Sequence, residues 1–599
     1  MTEVDSLRPL VAVLVSAAAI VPILLSGSRP NLREAWTLLA AVTGLGVVAS
    51  MVPGVLAGTV YVTDLGTFVP GVSFTLTADP LGILFGLLAS LLWVVASFYS
   101  IGYMRGLDEH DQTRYFAAFA GSVSAAVGVA FAANLLVLFV FYELLTVATY
   151  PLVAHDETDE ARAAGRKYLA YTFGGGVTVF AGAILVFWAA DTTAFTAGGI
   201  AALAGSDPVV ARAAFGLLVA GFGVKAALMP LHSWLPDAMV APTPVSGLLH
   251  AVAVVKSGVF GIARVVLDVY GPDLTAQLGV GIALAAVAAF TLVVASVIAL
   301  RQDNLKRRLA FSTVSQLSYI VLGLAVLHPV SLVGGLLHIP AHAFMKLTLF
   351  FCAGALHVET HTDDISNMAG IGKRMPLTMS AFGVAALGMA GIPLVAGFVS
   401  KFYLLIGTAS GGEVAFTVAL LLSGVLNIAY FWPVVYQAFF ESETPDGHDR
   451  KPLIENPLGG RLAVAADGGN PNNGGSNQQS AASGQPAADP ESEYAVDRHP
   501  SDHTRPGAVE ADAAETVEPE HDDHTDADDH AHDHHHGGPP AGGWERRSWL
   551  GGEGSWFVIA PILTAATGSL VLGVIPGRAV FLQLVEYVVS AATVLGVFA

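Results

Sequence analysis

Cysteine is almost absent from this chain: Cys352 stands alone among 599 residues. One thiol excludes an internal disulfide, a cysteine-held zinc or iron–sulfur centre and the haem-attachment pattern. Charge is scarce too. Asp, Glu, Lys and Arg make up 13% of the residues, about half of the roughly 25% usual in soluble domains. Only eight lysines are present. What fills the chain instead is apolar side chains, 54%, and 64 glycines, which excludes an ordinary water-soluble enzyme.

The net charge of −20 belongs to one segment. Residues 441–548 carry 23 Asp and Glu against 7 Lys and Arg, together with 10 of the 19 histidines. This stretch is rich in Gly, Pro, Asn, Gln and Ser and has too little apolar content to build a core, so it reads as a disordered acidic loop.

Elsewhere, runs long enough to cross about 30 Å of hydrocarbon recur at 9–28, 36–56, 80–104, 115–132, 134–154, 167–190, 211–230, 242–267, 275–300, 309–327, 330–356, 376–408, 414–440 and 555–576. The expectation is an all-α polytopic membrane protein of about 14 transmembrane helices. A last apolar run, 580–598, carries Glu586 and is read either as a surface helix or as a further span. The chain divides into 1–114 (helices 1–3), 115–440 (the central membrane core), 441–548 (the acidic, His-rich loop) and 549–599 (a C-terminal helix and tail).

Lys and Arg accumulate in cytoplasmic loops. Arg29 and Arg33, Arg105 and Arg114, Arg162, Arg166 and Lys167, Arg301, Lys306, Arg307 and Arg308, and Lys373 and Arg374 all fall after odd-numbered spans. The other side offers little beyond Arg212 and Arg264. This places the N-terminus outside and the acidic loop in the cytoplasm.

Four of the eight lysines, Lys225, Lys256, Lys346 and Lys401, lie inside expected spans, as does Glu143. Each intramembrane charge costs several kcal/mol, so such residues are rare and usually functional. A single lysine near a helix end can snorkel to the interface, but five ionisable groups on different helices are not needed for packing. His338, His342 and Lys346 are spaced four apart and share one helix face with a drift of about 40° per step. His250 precedes Lys256 by six residues and points in a somewhat different direction. The His-x3-His spacing also suits zinc, with the lysine one turn on weighing against it.

Helix breakers cluster beside two of these lysines. Pro230, Pro236, Pro242 and Pro244 follow Lys225, and Gly388, Gly391, Pro393 and Gly397 precede Lys401. Broken helices at membrane depth are tolerated only where they face protein or a wet cavity. Their recurrence in spans 7 and 12 suggests two five-helix repeats, spans 4–8 and 9–13, inverted because each holds an odd number of helices.

Five stretches carry a resemblance: DPLGILFGLLASLLWVVASFYSIGYM (79–104), FYELLTVATYPL (141–152), the run 225–264, DNLKRRLAFSTVSQLSYI (303–320) and GMAGIPLVAGFVSKFYLL (388–405). Over residues 79–440 the chain resembles the antiporter-like subunits shared by Mrp-type Na+/H+ antiporters, respiratory complex I (subunits L, M and N) and membrane-bound hydrogenases, most of all the D-type subunit of the Mrp antiporters. The resemblance implies that Glu143 is the fifth-helix glutamate and Lys225 its partner. It implies that His250 and Lys256 form an eighth-helix link, that His338, His342 and Lys346 form the central relay, and that Lys401 is its terminal residue. Lysine at that last position resembles the D-type antiporter subunit or complex I subunit L more than subunit M. The acidic insertion departs from the family pattern.

Three readings stay open. The first is proton transfer through this Glu/Lys/His relay, coupled to Na+ antiport in a multisubunit complex of the cell membrane. The second is a proton-pumping subunit of a complex I-like or hydrogenase-like redox complex, hence a translocase subunit of an NADH dehydrogenase-like enzyme. The third is a non-transporting membrane scaffold. No flavin, nucleotide or iron–sulfur motif is present, so no cofactor and no nucleic acid is expected, and other membrane subunits, H+ and Na+ are the expected partners. His530, His532, His534, His535 and His536 in the acidic loop are lesser candidates for a divalent metal. The acidity itself suits a salty cytoplasm, such as that of a halophilic archaeon.

Overall fold

The computed structural model describes residues 1–441, 537–540, 543–547 and 552–593. In hydrocarbon each backbone N–H and C=O must be satisfied within the protein, and the apolar runs accordingly fold as helices. These are α1 (Arg8–Leu25), α2 (Pro30–Ala49), α3 (Pro80–Gly106), α4 (Gln112–Phe131), α5 (Leu135–Val153), α6 (Asp159–Ala190), α7 (Pro208–Lys225) and α8 (Val254–Arg264). They continue as α9 (Val280–Leu300), α10 (Leu305–Ala325), α11 (Pro329–Thr360), α12 (Pro376–Ala390), α13 (Ala396–Ser410), α14 (Val414–Phe440), α15 (Trp556–Val574) and α16 (Val580–Ala592). Several start on a side-chain cap. Asp79 accepts from the Gly82 N–H at 2.7 Å, Asn134 from Val137 at 2.9 Å, Thr158 from Ala161 at 3.1 Å and Asn304 from Arg307 at 3.1 Å, each satisfying an otherwise orphaned donor.

Among the described residues, 12 helices are long and apolar enough to cross a membrane. The protein is a mostly helical, multi-pass membrane protein. The two remaining expected spans, the eighth and the twelfth, are segmented. The twelfth breaks where expected: α12 ends at Gly391, whose φ of +87° suits a residue without a Cβ, and α13 restarts at Ala396. The seventh breaks after Lys225, the last residue of α7. The eighth differs from the continuous helix expected. It runs through a short helix Thr243–Gly247, a π-helical turn Leu248–Val252, α8 and a second π-helical turn Val265–Val269. Such turns add a residue to the helical repeat and gather at functional sites; His250 sits in the first.

Helix α11 is the axis of the bundle. It has 32 residues, about 48 Å at 1.5 Å per residue, and each residue from Ser331 to Leu356 is buried. Small residues let its neighbours approach. A Cβ on Gly323 of α10 would stand 2.7 Å from the Gly335 Cα, and one on Gly334 would stand 2.6 Å from the Leu404 backbone nitrogen on α13. Helices α6 and α7 meet the same way through Gly175 and Gly221, the small-residue packing that membrane helices use in place of a hydrophobic drive.

Hydropathy gave no sign of a three-stranded sheet. β1 (Thr2–Asp5) pairs in parallel with β2 (Thr59–Val69), which pairs antiparallel with β3 (Val72–Ala78). The β2–β3 hairpin turns on Pro70-Gly71, with Gly71 at φ +84°, the Pro-then-Gly chemistry of a tight turn.

Arg264, read from the sequence as a loop charge, is buried. Its guanidinium donates two hydrogen bonds to Asp79 (2.6 and 2.8 Å) and one to Asp268 (2.7 Å). The fork ties the N-terminus of α3 to the end of α8. Near the C-terminal end, Glu553 accepts from the Thr378 N–H and hydroxyl, both at 3.0 Å, and from the Leu377 N–H, capping α12. The last helix, α16, has 13 residues, about 20 Å, short of the hydrocarbon thickness.

A candidate relay of buried lysines and histidines

Lys225, His250, Lys256, His338, His342 and Lys346 are fully buried and Lys401 is 7% exposed. A cation in such surroundings needs oxygen or nitrogen partners, and each finds them by a different route.

At the α5–α7 end, Lys225 donates to the Tyr142 carbonyl and lies 3.5 Å from the centre of the Tyr142 ring. Its position as the last residue of α7 follows from the break after it. Glu143, one residue along α5, has both carboxylate oxygens buried without a hydrogen-bond partner, so the partnership implied for Glu143 and Lys225 is not a direct contact here. The carboxylate is seated against Gly176 of α6, where a Cβ would overlap its Oε1.

The centre is built on α11. Lys256 Nζ lies 2.6 Å from His342 Nδ1, joining α8 to α11. His338, one turn earlier, is 6.1 Å from His342 between ring centres. It donates from Nε2 to Gln316 Oε1 of α10 at 2.9 Å and meets Ser400 Oγ of α13 at Nδ1, 2.8 Å. Because the amide oxygen only accepts, this arrangement puts the proton on Nε2 and leaves Nδ1 to receive one from Ser400. Lys346 turns to α10, donating to the Leu309 carbonyl at 2.7 Å and to Ser312 Oγ. His250 reaches the neighbouring Thr313 Oγ1 at 2.9 Å, and Thr313 donates on to the Leu309 carbonyl at 3.0 Å. His338, His342 and Lys346 thus share a buried face but bond to three different helices.

At the far end Lys401 donates to the Met389 carbonyl, exposed by the break between α12 and α13, and lies 4.7 Å from the Tyr319 ring centre. Ser400 beside it already holds His338, so the terminal lysine adjoins the central histidines along one turn of α13. Between Lys225 and Lys256 no direct hydrogen bond links the two side chains among the described residues. The backbones there are close, since a Cβ on Gly258 of α8 would stand 2.3 Å from the Ala226 nitrogen. His530, His532, His534, His535 and His536 lie outside the described residues.

Sequence patterning did not single out Tyr142, Ser312, Thr313, Gln316, Tyr319 and Ser400. Four of these six occupy the polar stripe of FSTVSQLSYI on α10 (311–320), a run unusually rich in hydroxyl and amide groups for a helix buried in a bundle.

Interrupted membrane helices that bring lysines and histidines together in a buried interior define an antiporter-like membrane protein. Comparison with known proteins gives the family. Residues 132–427 match the family described as NADH:quinone oxidoreductase/Mrp antiporter, TM, and NADH-quinone oxidoreductase subunit N of Desulforudis audaxviator is 34% identical over 399 residues, 65% of this chain and 78% of that one. The chain belongs to this NADH:quinone oxidoreductase/Mrp antiporter family. The A/B subunit of a probable K+/H+ antiporter of Rhizobium meliloti is 34% identical over 364 residues, 59% of this chain, which spans 35% of that longer protein. A chain of the Mrp complex from a Dietzia species shares the fold, with a TM-score of 0.71 at 20% identity, covering 98% of this chain and 97% of that one.

Proposed function

We propose that this chain is a proton-translocating subunit of a multisubunit membrane complex. Protons would pass between Glu143 and Lys225, through Lys256, His250, His338, His342 and Lys346, to Lys401, driving antiport of a cation, Na+ in the leading reading. The observation that carries this is the Lys256–His342 contact, a bond between two titratable side chains on different helices in a fully buried centre. A group that can lose a proton beside one that can accept it is the elementary unit of a relay, whereas packing alone is served as well by apolar pairs. Residues 115–440 form the translocating core in this reading, with 1–114 and 549–599 flanking it. The positive loops support an N-terminus outside and an acidic segment in the cytoplasm of the cell, where its charge suits high salt.

A second reading is supported by the likeness to an NADH-quinone oxidoreductase subunit N: the same relay driven by redox chemistry in partner subunits. Replacing Lys225 or Glu143 by alanine in the assembled complex, in membrane vesicles, is expected to abolish sodium-driven pH change while assembly persists. Normal exchange in both variants would overturn the relay. Exchange that needs a quinone or hydrogen donor instead of a sodium gradient would favour the second reading.

A further inference from the structure

Away from the relay, two turns meet at one end of the bundle. The α3–α4 turn carries Glu109 and His110, and the α5–α6 turn carries His155. One potential ligand atom from each of the three lies within 4.8 Å of the others. Two features of the group go beyond proximity.

His155 is fully buried, yet neither of its ring nitrogens has a hydrogen-bond partner. A buried imidazole ordinarily satisfies at least one nitrogen, and this one is aimed at Glu109 and His110. His110 meets the His155 carbonyl oxygen at Nε2, 3.1 Å, and since a carbonyl only accepts, Nε2 carries the proton. Its Nδ1 is left with a free lone pair 3.8 Å from Glu109 Oε2. A histidine that donates one N–H to a backbone carbonyl and presents the other nitrogen is held as metal-ligating histidines are held. Arg114, which donates to the His155 carbonyl, is already engaged by Glu157 and Asp111.

We propose that Glu109, His110 and His155 form a binding site for a divalent transition metal of the zinc class, which staples the α3–α4 turn to the α5–α6 turn. Two imidazoles and one carboxylate are a zinc-type donor set. Ligand atoms on a tetrahedral zinc stand roughly 3.4 Å apart, so closure needs small rotations of His110 and Glu109, which are partly exposed, around the fixed ring of His155. A water would fill the fourth position.

The test uses the full chain with His521, His524, His530, His532, His534, His535 and His536 changed to Gln, which removes the competing histidines clustered at 521–536. Equilibration with Zn2+ or Co2+ against a chelator should show one tight equivalent, a tetrahedral Co2+ absorption band and a metal-dependent rise in melting temperature. His155→Gln and, separately, the more exposed His110→Gln should each weaken binding at least about tenfold. His110→Gln leaves the buried ring in place, so a loss there cannot be laid to misfolding. Absence of the tight equivalent, or unchanged affinity in both variants, would show that His155 is merely packed on His110 and Tyr115, and would overturn the proposal.

Discussion

Lys256 on α8 and His342 on α11 are 2.6 Å apart and neither is exposed to solvent. The contact occupies Nδ1 and leaves Nε2 of the same ring without a hydrogen-bond partner. A buried amine left without its hydrogen-bond partner is costly, so the two replacements of His342 should separate. His342→Gln keeps an oxygen within reach of Lys256 and should lower the melting temperature little. His342→Leu strands the amine and should cost about 1–3 kcal/mol. Equal shifts in thermal unfolding of the two variants would count against the bond.

Glu143 owes its place to a glycine. A Cβ at Gly176 would overlap the Glu143 carboxylate, whereas one at Gly174, on the same helix, meets nothing within 4 Å. Gly174→Ala should therefore stabilise slightly, by about 0.5–1 kcal/mol, since alanine favours helix. Gly176→Ala should displace the carboxylate, cost about 1–3 kcal/mol and reduce ion exchange. Matching behaviour of the two alanine variants in unfolding and vesicle assays would contradict this seating.

The Arg264 fork should be unequal in its arms. Asp79 holds the guanidinium with two bonds and also caps α3, while Asp268 adds one bond. Asp79→Ala breaks a buried pair and a cap together and should cost about 3–5 kcal/mol. Asp268→Asn keeps a polar neighbour and should cost about 1 kcal/mol. Thermal unfolding of both variants decides; a larger loss for Asp268→Asn would reverse the assignment.

How much of this was legible in the sequence depended on whether the signal was local. Hydropathy located the long helices, and the Gly391–Pro393 breakers located the interruption ahead of Lys401, because chain chemistry sets both. Arg264 was misplaced because its partner Asp79 lies 185 residues earlier, and a count of loop charges cannot see such a contact. Thr313, Gln316 and Ser400 stayed hidden because a hydroxyl or amide on a membrane helix often bonds only its own turn, as Thr348 does to the Phe344 carbonyl; only the packing of α10 against the eighth span and α11, and of α13 against α11, gives them His250 and His338 to hold. The Pro70-Gly71 hairpin was local and readable, but a search for spans passes over short strands.

The central claim is that the buried amine of Lys256 and the ring of His342 pass protons. The most direct measurement is cation-driven proton flux in vesicles carrying the assembled complex with Lys256→Met, which keeps the bulk of the side chain and removes its proton-carrying nitrogen. Flux should fall by about a hundredfold or more at an unchanged level of assembly. Flux equal to that of the unaltered protein would contradict the claim.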